Sequence, residues 1–328
     1  MASSVSAHLS RTDGAREDSA WALLLLTALI TLGFQIAMPF QLTLRGLVQP
    51  LAFILLLGGL SAIYRRWRPN ERIFAMLTAL QQMALFSAVG VILSYMVAAR
   101  GGAYWDASFA AWDRTLGFDW VGWLGWLDAH PRVALTLTLA YRSLIAQMVA
   151  IIVLLGLGGS LAALRIVVLA AMIAGLTTIL LSGLAPGLTT YAHFGLSPAD
   201  YPHLHPAAPF SHVADLTALR AGTLRILAVD QLQGIITFPS YHGALAVVFG
   251  WGFWRMRIAW LRWPGMLLAS MTLAATPVDG GHYFVDVIAG VLIATASLWI
   301  ARRTVHLRMW PNRASRRTLT LPMRTARG

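Results

Sequence analysis

Long apolar runs separated by short polar breaks recur along the chain, at residues 21–40, 46–64, 73–98, 132–157, 161–184, 238–254, 264–277 and 282–301. A helix needs ~20 apolar residues to cross a bilayer. The pattern therefore predicts an all-α polytopic membrane protein with about eight transmembrane helices. The run at 264–277 is short, so it must be tilted or shielded by its neighbours. The first run is long enough to span, which favours a retained anchor over a cleaved leader. The runs leave no room for a separate soluble module, and one membrane domain is expected.

The polar breaks differ from one another. Arg65, Arg66, Arg68 and Arg72 follow the second run, Arg255, Arg257 and Arg262 the sixth, and Arg302 onward the eighth. Cytoplasmic loops carry such an excess of basic residues, so both termini are expected in the cytoplasm. Asp106, Asp113, Asp119, Asp128, Asp200, Asp215, Asp230 and Asp279 fall in the odd-numbered breaks instead. The third break also carries Trp105, Trp112, Trp120, Trp123 and Trp126, which predicts an interfacial helix with its indoles at headgroup level. The break at 186–233 is the longest, and Pro198, Pro202, Pro206 and Pro209 argue against one continuous helix there.

Composition agrees with a bilayer as solvent: 58% of residues are hydrophobic, 12% are charged, and the mean hydropathy is +0.66. The net charge of +12 could suggest nucleic acid, but topology accounts for the position of the arginines. No cysteine is present, which excludes disulfides, thiolate ligands and a cysteine nucleophile. Lysine is also absent.

Two segments carry chemistry. In the stretch Gly234-Ile-Ile-Thr-Phe-Pro-Ser-Tyr-His242, Pro239 and Ser240 are suited to starting a helix, with His242 at the mouth of the sixth run. In Asp279-Gly-Gly-His-Tyr-Phe-Val-Asp286, the i,i+4 spacing puts His282 and Asp286 on one helical face. A carboxylate there can fix the imidazole tautomer and leave the other nitrogen free to attack. An acid one turn inside an apolar helix is costly and marks a functional site, with His282 as its partner. Arg142 lies deep in the fourth run and needs a pocket or an acidic partner. Arg220 and Arg225, in the long outer loop, are further candidates for positive charge. His193, His203, His205 and His212 match no closed zinc spacing, and no metal is expected.

Pro239-Ser240-Tyr241-His242 and His282-Tyr-Phe-Val-Asp286 resemble the second and third motifs of the type-2 phosphatidic acid phosphatase and haloperoxidase superfamily. The string Gly281-His-Tyr-Phe-Val-Asp286 looks closest to its inositol phosphorylceramide synthase branch. The resemblance is specific from about Gly234 to Gly290, with a weaker likeness at 113–117 and 141–147. It implies a six-helix catalytic core, a nucleophilic His282, a His242 that protonates the leaving group, and an Asp286 that orients the nucleophile. It also implies a phosphohistidine intermediate and no cofactor. The chain departs from the hydrolase pattern: it has no lysine, and Thr276 stands where an arginine would precede His282. Phosphate must then be held by other groups, with Arg142, Arg220, Arg225, Ser240 and Tyr141 as candidates.

On this basis, residues 1–20 form a cytoplasmic segment, 21–72 two additional helices, 73–303 the catalytic domain and 304–328 a basic cytoplasmic tail. The expected substrate is a phospholipid or other lipid phosphate, met at the extracytoplasmic face of a bacterial plasma membrane. Nucleic acid is not an expected partner, and the sequence leaves the oligomeric state open. Transfer of a phospho-headgroup between lipids and hydrolysis of a lipid or polyprenyl phosphate both remain open. A transporter could also use Arg142 and Asp286, but it gives no reason for His242. Vanadate-dependent oxidation ranks last, because the basic oxyanion cradle is missing.

Overall fold

The computed structural model describes residues 2–208, 210 and 212–309. Most of the expected basic tail, from residue 310 onward, lies outside them. The chain is an all-α membrane protein, and each of the eight expected runs is helical. They correspond to α1 (Ala2–Ala37), α2 (Leu44–Arg66), α3 (Glu71–Ala98), the pair α6 (Pro131–Arg142) and α7 (Leu144–Leu157), α8 (Leu161–Ser182), α11 (Tyr241–Trp254), α12 (Ala259–Asp279) and α13 (Phe284–Met309). Short helices fill the outer connections: α4 (Asp106–Thr115), α5 (Trp120–Asp128), α9 (Thr190–Phe194) and α10 (Val213–Arg220). Two-residue strands β1 (Gln41–Leu42) and β2 (Ile226–Leu227) pair in parallel.

Local signals set the helix starts. Asn70 caps α3 by accepting from the Arg72 and Ile73 amides, with Glu71 in the first turn. Asp119 caps α5 through Gly122, and Pro131 opens α6. The core is apolar and centres on α8, 72% buried within its span, against 17% for α1 and 22% for α2. Leu93, Ile151, Met172, Val248 and Ala294 meet there. The leucines on α1 and α2, such as Leu25 and Leu55, stay exposed, as a lipid-facing surface requires.

The span count differs in detail from the expected eight. Among the described residues, five helices are long and apolar enough to cross a membrane, and the α6–α7 pair makes a sixth. At 14 residues α11 reaches only ~21 Å, from a rise of about 1.5 Å per residue. The irregular residues 235–240 precede it, and Ile235, Thr237 and Ser240 are buried by the protein. The fourth run is not one straight helix, because α6 and α7 meet at 55°. Polar side chains make the break tenable. The Ala140 carbonyl accepts from Gln147 Nε2 at 3.2 Å and from the Thr272 hydroxyl at 3.0 Å, and Gln147 Nε2 also bonds Thr272 at 2.8 Å.

All odd-numbered connections gather at one end of the bundle. Trp105 N–H donates to the Pro186 carbonyl, Thr190 N–H to Gly281 and Ala208 N–H to Asp279. The long outer loop is ordered over its described residues by these bonds and by β1–β2 pairing.

Candidate active site

The site is built where α11 and α13 touch. Ser240, fully buried, caps α11 by accepting from the Gly243 amide at 3.2 Å, and its own N–H donates to the Asp286 carbonyl at 3.0 Å. Contact this close needs missing side chains. A Cβ at Gly243 would lie 3.3 Å from Val287, and one at Gly290 would lie 3.2 Å from the Ala244 nitrogen and closer still to the Ser240 carbonyl oxygen.

The turn before α13 carries the second histidine. Gly281 adopts φ +65°, a conformation that favours glycine. At Gly280, a Cβ would meet the His282 ring at 2.6 Å and the Tyr141 hydroxyl at 2.9 Å. His282 thus sits in the turn and not on the helix, which begins at Phe284. Three groups fix this turn. The Asp113 carboxylate accepts from the Phe284 and Val285 amides at 2.9 and 2.8 Å, Trp120 Nε1 donates to the His282 carbonyl at 3.0 Å, and Asp286 Oδ2 accepts the Tyr283 amide at 2.9 Å. The last is the reach-back half of a capping box. Burial pushes the Asp113 carboxyl above its usual range, against the pull of those two amides. Asp113→Ala leaves two amides at the start of α13 without their acceptor. It is expected to cost about 1–2 kcal/mol of stability, the loss of a good N-cap, read as a lower unfolding temperature in detergent.

The structure brings His282, Asp286, His242, Tyr141 and Arg142 together. His282 Nδ1 lies 3.5 Å from Asp286 Oδ2, and the two side chains are 5% and 0% exposed. That distance is long for a hydrogen bond, but the spacing suits an imidazole whose developing charge the carboxylate offsets. The His282 ring also faces the Thr237 backbone. The His242 ring stacks on Tyr141, with centroids 4.4 Å apart and planes within 9°. Stacking fixes the imidazole plane.

Both histidines line one cavity of about 500 Å³. Its lining includes the polar side chains of Arg142, His212, His242 and His282 and the apolar ones of Phe86, Ile145 and Ile179. Arg142 ends α6 at the break, is exposed, and has no hydrogen-bond partner among the described residues; it acts electrostatically on Asp279. Asp279 is itself held by the Thr138 hydroxyl at 2.8 Å and the Ala207 amide at 3.2 Å. Such a cavity can take a phosphate beside its basic groups and an alkyl chain against its apolar side chains.

The remaining candidates lie elsewhere. Ser240 is a helix cap and does not line the cavity. Arg220 donates to the Gly102 carbonyl at 3.0 Å and sits 3.8 Å over the Tyr104 ring. Arg225 donates to the Leu219 and Leu224 carbonyls and covers Phe40. Both arginines fasten outer loops. His203 pairs with Asp128, and His193 lies edge-on to Phe194, so the loop histidines are dispersed.

Sequence reasoning passed over His212, Asp113, Trp120 and Asp106. His212 lines the cavity, its Nε2 facing the Leu188 carbonyl at 3.2 Å, and burial pushes its imidazole below the ordinary range, so it is neutral near pH 7. Asp106 binds the Leu188 amide and the Tyr283 hydroxyl. An acid-rich interfacial break was the signal for Asp106, and for Asp113 the weaker family likeness at 113–117 was a second one.

Comparison with protein-family models matches residues 107–300 to the PAP2 superfamily. The match contains α6, α11, the turn at Gly281 and the first turns of α13, which carry Arg142, His242, His282 and Asp286, while α3, which supplies Phe86 to the cavity wall, lies before it. No curated protein and no solved structure matches the chain.

Proposed function

The chain belongs to the PAP2 superfamily, and on that premise we propose that it breaks a phosphoester bond of a membrane lipid through a covalent phosphohistidine. One observation carries this reading. A buried His282–Asp286 couple and a second imidazole, His242, open onto one cavity that is lined by Arg142 and by apolar side chains such as Phe86, Ile145 and Ile179.

The chemistry runs in two displacements. The His282 nitrogen turned away from Asp286, on leaving the Thr237 backbone, attacks phosphorus, the bond from phosphorus to the leaving oxygen breaks, and His242 supplies a proton to that oxygen. Asp286 holds the Nδ1 side of the ring and offsets its positive charge. An acceptor hydroxyl then gives its proton to His242 and attacks phosphorus, and the bond to His282 breaks. Water as acceptor makes the enzyme a phosphatase. A lipid hydroxyl makes it a phosphotransferase, the outcome that the likeness of Gly281–Asp286 to inositol phosphorylceramide synthases favours. Arg142, the cation that lines the cavity beside both histidines, balances the phosphate charge. The arginine distribution supports the extracytoplasmic side as the place of the reaction.

The deciding experiment is turnover of purified protein on phosphorus-labelled lipids, with and without acceptor lipids. Free labelled phosphate identifies a phosphatase. A new labelled lipid formed only when an acceptor is present identifies a transferase, and no product from any lipid phosphate overturns the reading. In the same assay Arg142→Gln is expected to lower kcat/KM by about 10²-fold, the scale for losing one positioned transition-state donor, with the fold intact. Unchanged kcat/KM would remove Arg142 from the phosphate site.

A further inference from the structure

A second cavity, of about 250 Å³, lies at the opposite end of the bundle from His242 and His282. It is lined by the start of α8 at Ala162 and Ala163, by Trp251, Trp254 and Arg255 at the end of α11, and by Arg302 and His306 on α13. Arg255, Arg302 and His306 are exposed, and none has a hydrogen-bond or carboxylate partner among the described residues. No acidic residue lines the cavity. The sequence offers none nearby on α13 either, because no Asp or Glu occurs after Asp286.

Arginines at the carboxy-terminal ends of helices often serve only to offset the helix dipole or to mark the cytoplasmic side. Neither role requires two arginines and a histidine from two different helices to converge on one concavity. Two further features suit an anion. Ser160 makes no side-chain cap to α8, so the first-turn amides beside Ala162 and Ala163 remain available. The Trp251 ring lies 5.7 Å from the Arg255 guanidinium, which holds the cation at the depth where indoles meet headgroups.

We propose that this cavity is a second phosphate-recognising site, occupied by the phosphodiester headgroup of an anionic phospholipid in the leaflet opposite His242 and His282. Basic pockets between membrane helices on the cytoplasmic side recognise such headgroups by charge. The alkyl chains would lie along the flank of α11 and α13, beside the exposed Trp254 and Trp299. Free inorganic phosphate offers the same charge chemistry without the chains.

The test is native mass spectrometry of the full chain equilibrated with phosphatidylglycerol and phosphatidylcholine of matched chains, with inorganic phosphate in a separate arm. Preferential retention of one phosphatidylglycerol is expected. It should fall at least fivefold in the Arg255→Gln, Arg302→Gln double variant and stay unchanged in the Arg68→Gln, Arg257→Gln double variant, which removes an equal charge outside the cavity. Phosphatidylglycerol could also enter the catalytic cavity, so a photoreactive analogue with its crosslinker near the headgroup is mapped on the wild type. Adducts at residues 251–255 or 299–306 support the proposal, and this arm stands even if the double variant misfolds. Equal retention of the two lipids, or adducts confined to the catalytic cavity, would overturn it. Binding of inorganic phosphate that phosphatidylglycerol does not displace would overturn the lipid as occupant.

Discussion

His282→Ala is expected to abolish the covalent intermediate and to lower turnover by about 10⁴-fold or more, since the nucleophile of a two-step displacement has no substitute. The expectation rests on position. His282 is held in its turn by Gly281, Trp120 and the Asp113-capped start of α13, with Asp286 behind Nδ1. No other imidazole in the cavity has a carboxylate placed this way: His242 stacks on Tyr141, and the His212 Nε2 meets a backbone carbonyl. Quenched-flow trapping with a phosphorus-labelled lipid, followed by peptide mapping at alkaline pH to preserve phosphohistidine, should place the label on the peptide containing His282. His242→Ala should instead slow formation of the intermediate, most for poor leaving groups, because an activated ester needs little proton assistance. Label on another residue, or a folded His282→Ala protein with full activity, would refute the assignment.

Gly290→Ala should cost about 1–3 kcal/mol of stability and about 10²-fold in turnover, although residue 290 touches no substrate. A methyl group there meets the Ser240 carbonyl oxygen and the Ala244 nitrogen, both backbone atoms of α11 that cannot rotate aside. The helices must separate, and His242 moves with α11 while His282 stays with α13. A displacement of about an ångström between reacting groups costs rate on that scale. Gly33→Ala is the matched control: a Cβ there has nothing within 4 Å, so its expected effect is a gain of up to about 1 kcal/mol from helix propensity. Unfolding temperature and turnover of the two variants separate the cases, and equal behaviour would show that close approach of α11 and α13 does not position the histidines.

What could be read from sequence follows the range of the forces involved. Apolar runs and the His282–Asp286 spacing are local patterns, and both reappear in the fold as helices and as a 3.5 Å contact. The break at Arg142 was hidden, because the freed Ala140 carbonyl is satisfied by Gln147 and by Thr272 of another helix, a contact that the apolar run at 132–157 does not reveal. Asp113 caps a helix about 170 residues further along the chain, a pairing that no periodicity announces. Arg220 and Arg225 precede His242 closely in sequence, but their carbonyl and aromatic partners face the outer loops. For Arg142 the cost of an intramembrane charge predicted a pocket or an acid, and the fold supplies both, the cavity and Asp279.

The ladder between β1 and β2 joins the connection between α1 and α2 to the segment that leads into the cavity of His242 and His282. Residues before 107 fall outside the family match, so in sequence α1 and α2 resemble an appendage. Their connection is nevertheless bonded through Gln41 N–H to the Arg225 carbonyl and Thr43 N–H to the Leu227 carbonyl, with Phe40 buried beneath the Arg225 guanidinium. Six residues beyond Leu227 the chain becomes the cavity wall at 233–236. The first two spans are the least buried by protein, so the helices that meet a change in bilayer thickness most directly are tied by these backbone bonds to the strand that leads to that wall.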